Sequence, residues 1–331
     1  MVLFVYNRGD MQEKTILLFP GQGAQYSGMC QDIYREYACV RHVFELVSDY
    51  SCENIKKMCF NFSDTELMRP DRAVLTTLTH SMSMVAIIKN YFNRSLDMIT
   101  DYVVGHSMGQ YSALCAIDSV SLMDIVRVLK ERSLHTMTVA GQGDGMICII
   151  GLNKQKIDNL INSVKDRGFV AIANYNLYNQ FVISGENNAL NLLLDKAKSA
   201  GAKIAKRLAV SIPAHCELMK PVQKLMNDSL KDIVIKTPKI PLFSNETANL
   251  VNSPEHIKQG LVDQMCHGVN WVGIMEKFPE YNIVRAYEMG PGKVLSGLVN
   301  RANVGCVAQN TGNLKNIRIV CKQLEHVVSG R

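Results

Sequence analysis

The sequence of 331 residues contains no run of 18 or more uncharged, apolar residues, which excludes a membrane-spanning helix of ordinary length. Its ten cysteines include no C-x-x-C pair and no cluster with histidine, so no metal site is expected. They are expected to be free thiols in a reducing cytoplasm. The net charge is +6, but no basic run is interleaved with aromatic residues, so nucleic acid is not an expected partner.

The first residues also lack the features of a targeting segment. The stretch MVLFVYNRGDMQEK carries Arg8, Asp10 and Glu13, which fits neither a signal peptide nor a transit peptide rich in arginine and serine. Residues 1–13 are therefore predicted to form a tail ahead of the first strand.

Short apolar runs that end at glycine are present, and helical patterns flank them. The run Thr15–Phe19 stops at Pro20-Gly21, and the run Tyr102–Val104 stops at Gly105. This alternation predicts an α/β fold in which helices cover a largely parallel, buried sheet.

Residues 145–207 show a different order of elements, β-α-β-β-α-β, which is the ferredoxin-like pattern. The predicted elements are Met146–Leu152, Lys154–Val164, Phe169–Asn174, Gln180–Ser184, Asn187–Ala200 and Lys203–Leu208. We therefore predict a small ferredoxin-like subdomain, residues 141–208, inserted in an α/β-hydrolase-like large domain of residues 14–140 and 209–331. Two later strands, Pro241–Asn245 and Ile283–Met289, are assigned to the large sheet.

A G-x-S-x-G motif lies between the predicted strand at 102–104 and a predicted helix, Met108–Ala116. This strand–turn–helix setting is the one a nucleophile elbow requires, because only glycine leaves room for the sharp turn on each side of Ser107. The helix N-terminus would also place backbone N–H groups beside the serine oxygen. The alternative is that Ser107 merely caps the helix.

A serine nucleophile needs a base within hydrogen-bond reach, and the chain has eight histidines. His106 is adjacent to the serine, so its side chain is expected to point away from Ser107. His215 lies in a loop that contains Pro213 and enters the large domain, which makes it a candidate base. From the residues alone, other histidines stay open.

Two further features bear on the site. The loop Phe19–Gln25 leaves the first strand at glycines, so it either approaches a ligand closely or is a simple turn. The capping pattern of Ser121 and Asp124 opens a helix on which Arg132 falls at the edge of the apolar stripe. A guanidinium there either binds an anion or reaches solvent along its stem.

Together these segments resemble the malonyl-coenzyme A:acyl carrier protein transacylase family over about residues 15–310. The matching stretches are FPGQGAQ at 19–25, GHSMGQYSAL at 105–114, the Arg132 helix, ANYN at 173–176, VISG at 182–185, SIPAHC at 211–216, FSN at 243–245 and MGPGKVL at 289–295. The resemblance implies the two-part fold read above.

The resemblance also implies roles. Ser107 would be the acylated nucleophile and His215 its base, steadied by a backbone carbonyl near Gln264. The N–H groups of Gln22 and Met108 would form the oxyanion hole.

Arg132, Gln264 and Asn174 would bind substrate, with Arg132 holding the free carboxylate of a malonyl group. A coenzyme A thioester and an acyl carrier protein would be the partners. No cofactor and a monomeric protein are expected.

Two departures from the family pattern leave acyl specificity open. Gln110 stands where glutamate is common, and Leu177-Tyr178 replaces a small residue and proline. Alternative functions are an acyl hydrolase that clears stalled chains and a non-catalytic module that binds a carrier. A basic patch for an acidic carrier would consist of Lys203, Lys206, Arg207, Lys220 and Lys224.

Overall fold

The computed structural model describes residues 12–139, 143–210 and 212–329. Most of the predicted tail 1–13, the predicted boundary at 140/141 and Ser211 lie outside the described residues. No helix in the described part of the chain is long and apolar enough to cross a membrane.

The strands are β1 Lys14–Phe19, β2 Tyr102–Gly105, β3 Asp144–Ile150, β4 Val170–Leu177, β5 Gln180–Glu186, β6 Ile204–Arg207, β7 Leu242–Phe243, β8 Leu250–Val251, β9 Ile283–Glu288 and β10 Val307–Asn310. The helices are α1 Gln31–Glu36, α2 Ala38–Ser51, α3 Ile55–Asn61, α4 Asp64–Leu67, α5 Pro70–Phe92, α6 Gly109–Ala116, α7 Leu122–Val139, α8 Lys154–Asn162, α9 Asn187–Ser199, α10 Lys220–Ser229, α11 Pro254–Asp263, α12 Trp271–Glu276, α13 Val294–Ala302 and α14 Leu314–Ser329. Short 3-10 turns are Leu96–Met98, Lys165–Arg167 and Glu217–Met219.

A six-stranded sheet in the order β10-β9-β1-β2-β7-β8 forms the centre of the fold. Its neighbours pair in parallel except β7 and β8, which are antiparallel. Leu17 and Phe19 of β1 pack with helices such as α2, α5 and α7 on one face. Ile16 and Leu18 pack with α12 and α13 on the other. The predicted α/β layering around a largely parallel sheet is confirmed, and burial of β1 on both faces explains its unbroken apolar run.

Residues 144–207 form a separate antiparallel sheet in the order β4-β5-β3-β6. Ile147 and Ile149 of β3 join a cluster with α8 and α9 on one face, whereas Met146 packs with Ala173 and Val182 in a smaller cluster. β4 extends to Leu177, beyond the predicted end at Asn174, because its last residues still pair with β5. The face of this sheet that carries Met146 is therefore not the face that packs with α8 and α9.

Candidate active site

Ser107 lies in a sharp turn between β2 and α6, and its backbone is left-handed with a φ of 54°. This conformation is unfavourable for residues other than glycine. The flanking glycines are sterically required, because a Cβ on Gly105 would lie 2.0 Å from the carbonyl carbon of Gly109. A Cβ on Gly109 would lie 2.0 Å from the carbonyl oxygen of Phe19. The turn thus has the geometry of a nucleophile elbow.

The glycine loop after β1 lies against this elbow. Phe19 and Gly105 are partners at the ends of β1 and β2, so the chain leaves both strands at one edge of the sheet. A Cβ on Gly21 would lie 2.6 Å from the carbonyl oxygen of His106. The loop is therefore more than a simple turn, because its glycine permits direct contact with the elbow.

The predicted oxyanion-hole residues, Gln22 and Met108, flank Ser107 on these two loops. Gln22 borders the same cavity as Ser107, and Met108 is the residue from which α6 begins. Within residues 12–139, 143–210 and 212–329, neither backbone N–H donates a hydrogen bond to another residue. Ser107 differs, because its N–H donates to Asn245 Oδ1 at 2.7 Å. Two donors are thus left unengaged beside the serine.

His215 is the histidine that the structure brings to Ser107. Its Nε2 lies 2.7 Å from Ser107 Oγ, and its Nδ1 lies 2.6 Å from the carbonyl oxygen of Gln264. A carbonyl can only accept, so Nδ1 carries the proton and Nε2 is left to accept from the serine hydroxyl. His215 itself adopts a left-handed φ of 62°.

The pKa of His215 is lowered to about 3. Burial is the larger cause, and the positive charge of Arg132 is the second. The hydrogen bond to Gln264 acts in the opposite direction. The imidazole is therefore neutral at pH 7, the protonation state that a base needs.

Arg132 lies on α7 with only 5% of its surface exposed. It forms no ion pair with any acidic side chain of the described residues, and its Nε has no hydrogen-bond partner. Its guanidinium carbon lies 5.9 Å from the centre of the Tyr111 ring. Burial lowers the pKa of Arg132, but a guanidinium stays protonated at neutral pH. A buried cation without a counter-ion is a strong candidate for an anion site.

Ser107 and Arg132 border one cavity of about 130 Å³. The elbow, α7 and the four-stranded sheet contribute to it, and the remaining lining residues are Gln22, His106, Thr136, Met146, Asn174, Leu208, Val210, Ile212, Ala214, His215, Met219 and Met265. Half of the lining residues are apolar and half are polar or charged, so the cavity suits a small acyl group with a charge at its Arg132 end.

The remaining predicted binding residues take different places. Asn174 is buried and borders the cavity, while its backbone bridges to Val269. Gln264 contacts His215 through its backbone carbonyl. Among the residues that the structure describes, its side-chain amide has no hydrogen-bond partner and is buried. Gln264 is not one of the residues that line the cavity. Gln264 thus reaches the site through its backbone.

His106 is held by groups other than the serine. Its Nε2 lies 3.0 Å from Asn176 Oδ1, and its ring centre lies 5.3 Å from that of Trp271. Burial lowers the pKa of His106, so a neutral imidazole ties the elbow to β4. The side chain was expected to point away from Ser107; it bonds Asn176 rather than the serine, but it borders the same cavity as Ser107.

The two departures from the family pattern lie away from the cavity. Gln110 is buried, and its Nε2 donates to the carbonyl oxygen of Phe243 at 3.4 Å. Leu177 packs in the core beneath the six-stranded sheet, and the Tyr178 hydroxyl donates to Glu276 at 2.5 Å. Both therefore act in packing.

Sequence reasoning gave no role to Asn245, which contacts the elbow directly. Its Nδ2 donates to the carbonyl oxygen of Gly105 at 2.6 Å, in addition to the bond from the Ser107 N–H. The signal was the FSN segment at 243–245, which begins at the last residue of β7, the strand next to β2 in the sheet.

The chain is similar in sequence to known proteins over most of its length. A profile of the family described as "Acyl transferase domain" matches residues 16–269. The malonyl CoA-acyl carrier protein transacylase of Staphylococcus aureus strain MRSA252 is 32% identical over 292 residues, which are 88% of this chain and 92% of that protein.

Solved structures show the same similarity. FabD from Acinetobacter baumannii superposes with a TM-score of 0.89 at 30% identity, over 95% of this chain and 99% of that one. A structure described as a type II PKS acyl-carrier protein in complex with its malonyl-transacylase includes a chain that superposes with a TM-score of 0.89 at 28% identity. The match covers 94% of this chain and 99% of that one.

Proposed function

Because the chain belongs to the acyl transferase family of malonyl CoA-acyl carrier protein transacylases, we propose that it transfers malonyl groups through an acyl-enzyme on Ser107. The donor is malonyl-coenzyme A, and the acceptor is the phosphopantetheine thiol of an acyl carrier protein. The reaction class is that of an [acyl-carrier-protein] S-malonyltransferase.

In the first half-reaction Ser107 Oγ attacks the thioester carbonyl carbon while His215 Nε2 takes the hydroxyl proton. The contact of 2.7 Å between these atoms supports that assignment. The C–S bond then breaks, and the leaving thiolate of coenzyme A takes the proton from His215. A malonyl ester on Ser107 remains.

In the second half-reaction the carrier thiol gives its proton to His215 and attacks the ester carbonyl. The C–O bond breaks, and Ser107 Oγ regains the proton, so no net change in the enzyme occurs. Thioester and ester differ little in energy, so the proposal includes no metal and no prosthetic group.

Negative charge develops on the acyl oxygen in both steps, and the unengaged N–H groups of Gln22 and Met108 would donate hydrogen bonds to that oxygen. Met108 lies at the start of α6, so the helix dipole adds to the same stabilisation. Such donors act most strongly in a cavity that excludes water.

The single observation that carries the malonyl assignment is that Arg132, buried and without an acidic partner among the described residues, lines the same cavity as Ser107. A planar guanidinium matches a carboxylate with two parallel hydrogen bonds. The free carboxylate of malonyl supplies the missing counter-ion, whereas an acetyl group leaves the cation buried and unpaired.

The acyl carrier protein is assigned by the relatives, one of which is a malonyl-transacylase solved with its carrier. The basic patch remains part of the proposal. Arg207 immediately precedes Leu208, which lines the cavity, whereas Lys220 is engaged with Glu217 at 2.9 Å. Carrier proteins of fatty acid and of polyketide synthesis both fit the proposed reaction.

Three further parts of the proposal concern the molecule as a whole. We propose that residues 141–208 are a ferredoxin-like insert in an α/β-hydrolase-like domain, supported by the order β4-β5-β3-β6. We propose a monomer. We also propose a cytoplasmic location, which the free thiols support.

The test is mass spectrometry of the intact protein after incubation with malonyl-, methylmalonyl- or acetyl-coenzyme A. We expect a malonyl adduct that maps to Ser107 and is absent from Ser107→Ala. Release of free acid from acetyl or longer thioesters, without a malonyl adduct, would instead identify an acyl hydrolase.

A further inference from the structure

Asn245 contacts the two peptide groups that lead into the nucleophile. Its Oδ1 accepts the Ser107 N–H at 2.7 Å, and its Nδ2 donates to the carbonyl oxygen of Gly105 at 2.6 Å. We infer that Asn245 is a positioning residue that holds Ser107 in the reactive turn. This inference rests on the proposed function and adds a residue to its machinery.

The turn needs such support because Ser107 is held at a φ of 54°. A serine in this left-handed region relaxes to an extended or helical conformation unless its surroundings fix it. The backbone bonds from Gly109 N to His106 O and from Gln110 N to Ser107 O close the far side of the turn. The Asn245 amide fixes the near side, where the chain leaves β2.

Asn245 is itself rigid, so it can transmit this constraint. It is 4% exposed, and its backbone carbonyl accepts the Asn270 N–H at 2.7 Å. It follows β7, whose Leu242 pairs with Val103 of β2. The amide therefore approaches the elbow from the turn that directly follows the neighbouring strand, and its own backbone is held there by the Asn270 N–H.

The bond to the Ser107 N–H also determines which donors face the acyl oxygen. With that N–H engaged, the donors left beside the serine are those of Gln22 and Met108. Loss of the Asn245 amide would release the Ser107 N–H and the Gly105 carbonyl, and the two peptide planes that precede Ser107 could then rotate. Both Ser107 Oγ and the Met108 N–H would then leave their productive positions.

Two variants separate the contacts. Asn245→Ala removes both hydrogen bonds. Asn245→Asp has the same shape and keeps an acceptor for the Ser107 N–H, but it cannot donate to Gly105 and brings a negative charge toward the developing oxyanion. Each is tested by the rate constant for Ser107 acylation by malonyl-coenzyme A, from rapid acid quench and intact-protein mass, between pH 4.5 and 8.

Asn300 provides a matched control. Its amide also clips a backbone, because Nδ2 donates to the Ala308 carbonyl and Oδ1 accepts the Ala308 N–H, both at 2.9 Å. That contact joins α13 to β10, outside the residues that line the cavity. Asn300→Ala therefore loses two comparable hydrogen bonds without touching the elbow.

We expect Asn245→Ala to lower the acylation rate constant about 10- to 100-fold, since displacement of reacting atoms by about 1 Å costs about 100-fold. The malonyl-coenzyme A concentration at half-maximal rate should change less than about threefold, because Arg132 is intact. Asn245→Asp should be at least as slow, and its acid limb should move to higher pH, because the carboxylate favours protonated His215. Asn300→Ala should acylate at the wild-type rate.

The inference is overturned if Asn245→Ala loses thermal stability as Asn300→Ala does but acylates at the wild-type rate. It is also overturned if Asn245→Asp acylates normally with an unchanged pH profile, which answers the question should the alanine variant not fold. Failure of the wild type to form malonyl-Ser107 would be a different result, because it would overturn the proposed function first.

Discussion

The six-stranded sheet contributes to the site through backbone positions, whereas the four-stranded sheet contributes through the size of its side chains. Gly105 at the end of β2 and Gly109 at the start of α6 leave no space for a Cβ. Met146 and Asn174 of the smaller sheet instead border the cavity with side chains. The reacting atoms are thus held by close backbone contacts that exclude larger residues. Part of the acyl-binding wall instead consists of side chains, which can be exchanged for others. Changes that break the first should abolish the reaction, and changes in the second should alter its selectivity.

The largest effect is expected from Gly109→Ala, which tests the backbone side of this comparison. The new Cβ would lie 2.0 Å from the Phe19 carbonyl oxygen, so β1 and the elbow must move apart. Acylation of Ser107 should fall by more than about 1,000-fold, since it loses both positioning and oxyanion donors. The measurement is the acid-quench rate with malonyl-coenzyme A.

Gly297→Ala is the control for that substitution. Gly297 lies within α13 and has open space where its Cβ would stand. Alanine there should raise the free energy of unfolding by up to about 1 kcal/mol and leave acylation unchanged. Normal acylation by Gly109→Ala would contradict the steric argument.

Arg132→Ala is expected to have the next largest effect, on the choice of acyl group. Loss of the charged hydrogen bonds to a carboxylate, worth about 1.5–3 kcal/mol, should lower kcat/KM for malonyl-coenzyme A about 10- to 150-fold. Acetyl-coenzyme A should react as well as before or better. Arg127→Ala on the same helix is the control, because Arg127 is exposed and pairs with Asp124 at 3.7 Å. Equal losses with both substrates would remove Arg132 from selectivity.

Arg132 should also affect the pH dependence, because its charge lowers the pKa of His215. His215 must be neutral to act, so wild-type activity should be retained toward acidic pH, consistent with a pKa of about 3. Removal of the cation in Arg132→Met raises the pKa of His215 and moves the acid limb of kcat/KM to higher pH. Acetyl-coenzyme A is the substrate for this measurement, since it has no carboxylate to lose. An unchanged limb would show that the two groups are not coupled.

The smallest effect is expected from Met146→Ala in the four-stranded sheet. The shorter side chain widens the cavity, so the rate with methylmalonyl-coenzyme A should rise relative to malonyl-coenzyme A while malonyl acylation changes less than about tenfold. Val182→Ala is the control, because Val182 packs with Met146 but does not line the cavity of the described residues. It should lose stability without a change in selectivity. A 1,000-fold loss in Met146→Ala would contradict the division between the two sheets.

Local patterns in the sequence predicted the elements that depend on neighbouring residues. The strand before Ser107, the helix after it and the cap at Ser121 are all present, and Ser121 Oγ accepts the Asp124 N–H at 3.1 Å. The strand predicted at Pro241–Asn245 has only Leu242–Phe243 in the sheet. Asn245 leaves the strand because its side chain pairs with the elbow, a contact between residues 138 positions apart.

The contacts of His215 and Arg132 likewise depend on residues that are distant in the sequence. Helix periodicity placed Arg132 at the edge of an apolar stripe, but its depth depends on how α7 packs against α5 and α6. The pairing of His215 with Ser107 spans 108 positions. The local pattern made His215 one candidate among the histidines, and only the motif resemblance singled it out. β10, Val307–Asn310, was missed because only Ala308 of its four residues is buried, so no apolar run marks it.

The most direct test of the central claim is the fate of malonyl-enzyme isolated after reaction with malonyl-coenzyme A. The adduct would be mixed with holo acyl carrier protein, and the malonyl-carrier and free malonate would be measured together. Transfer of most of the malonyl group to the carrier, with little malonate and no adduct in Ser107→Ala, is the predicted result. Release as malonate at the same rate with and without the carrier would contradict the assignment as a transferase.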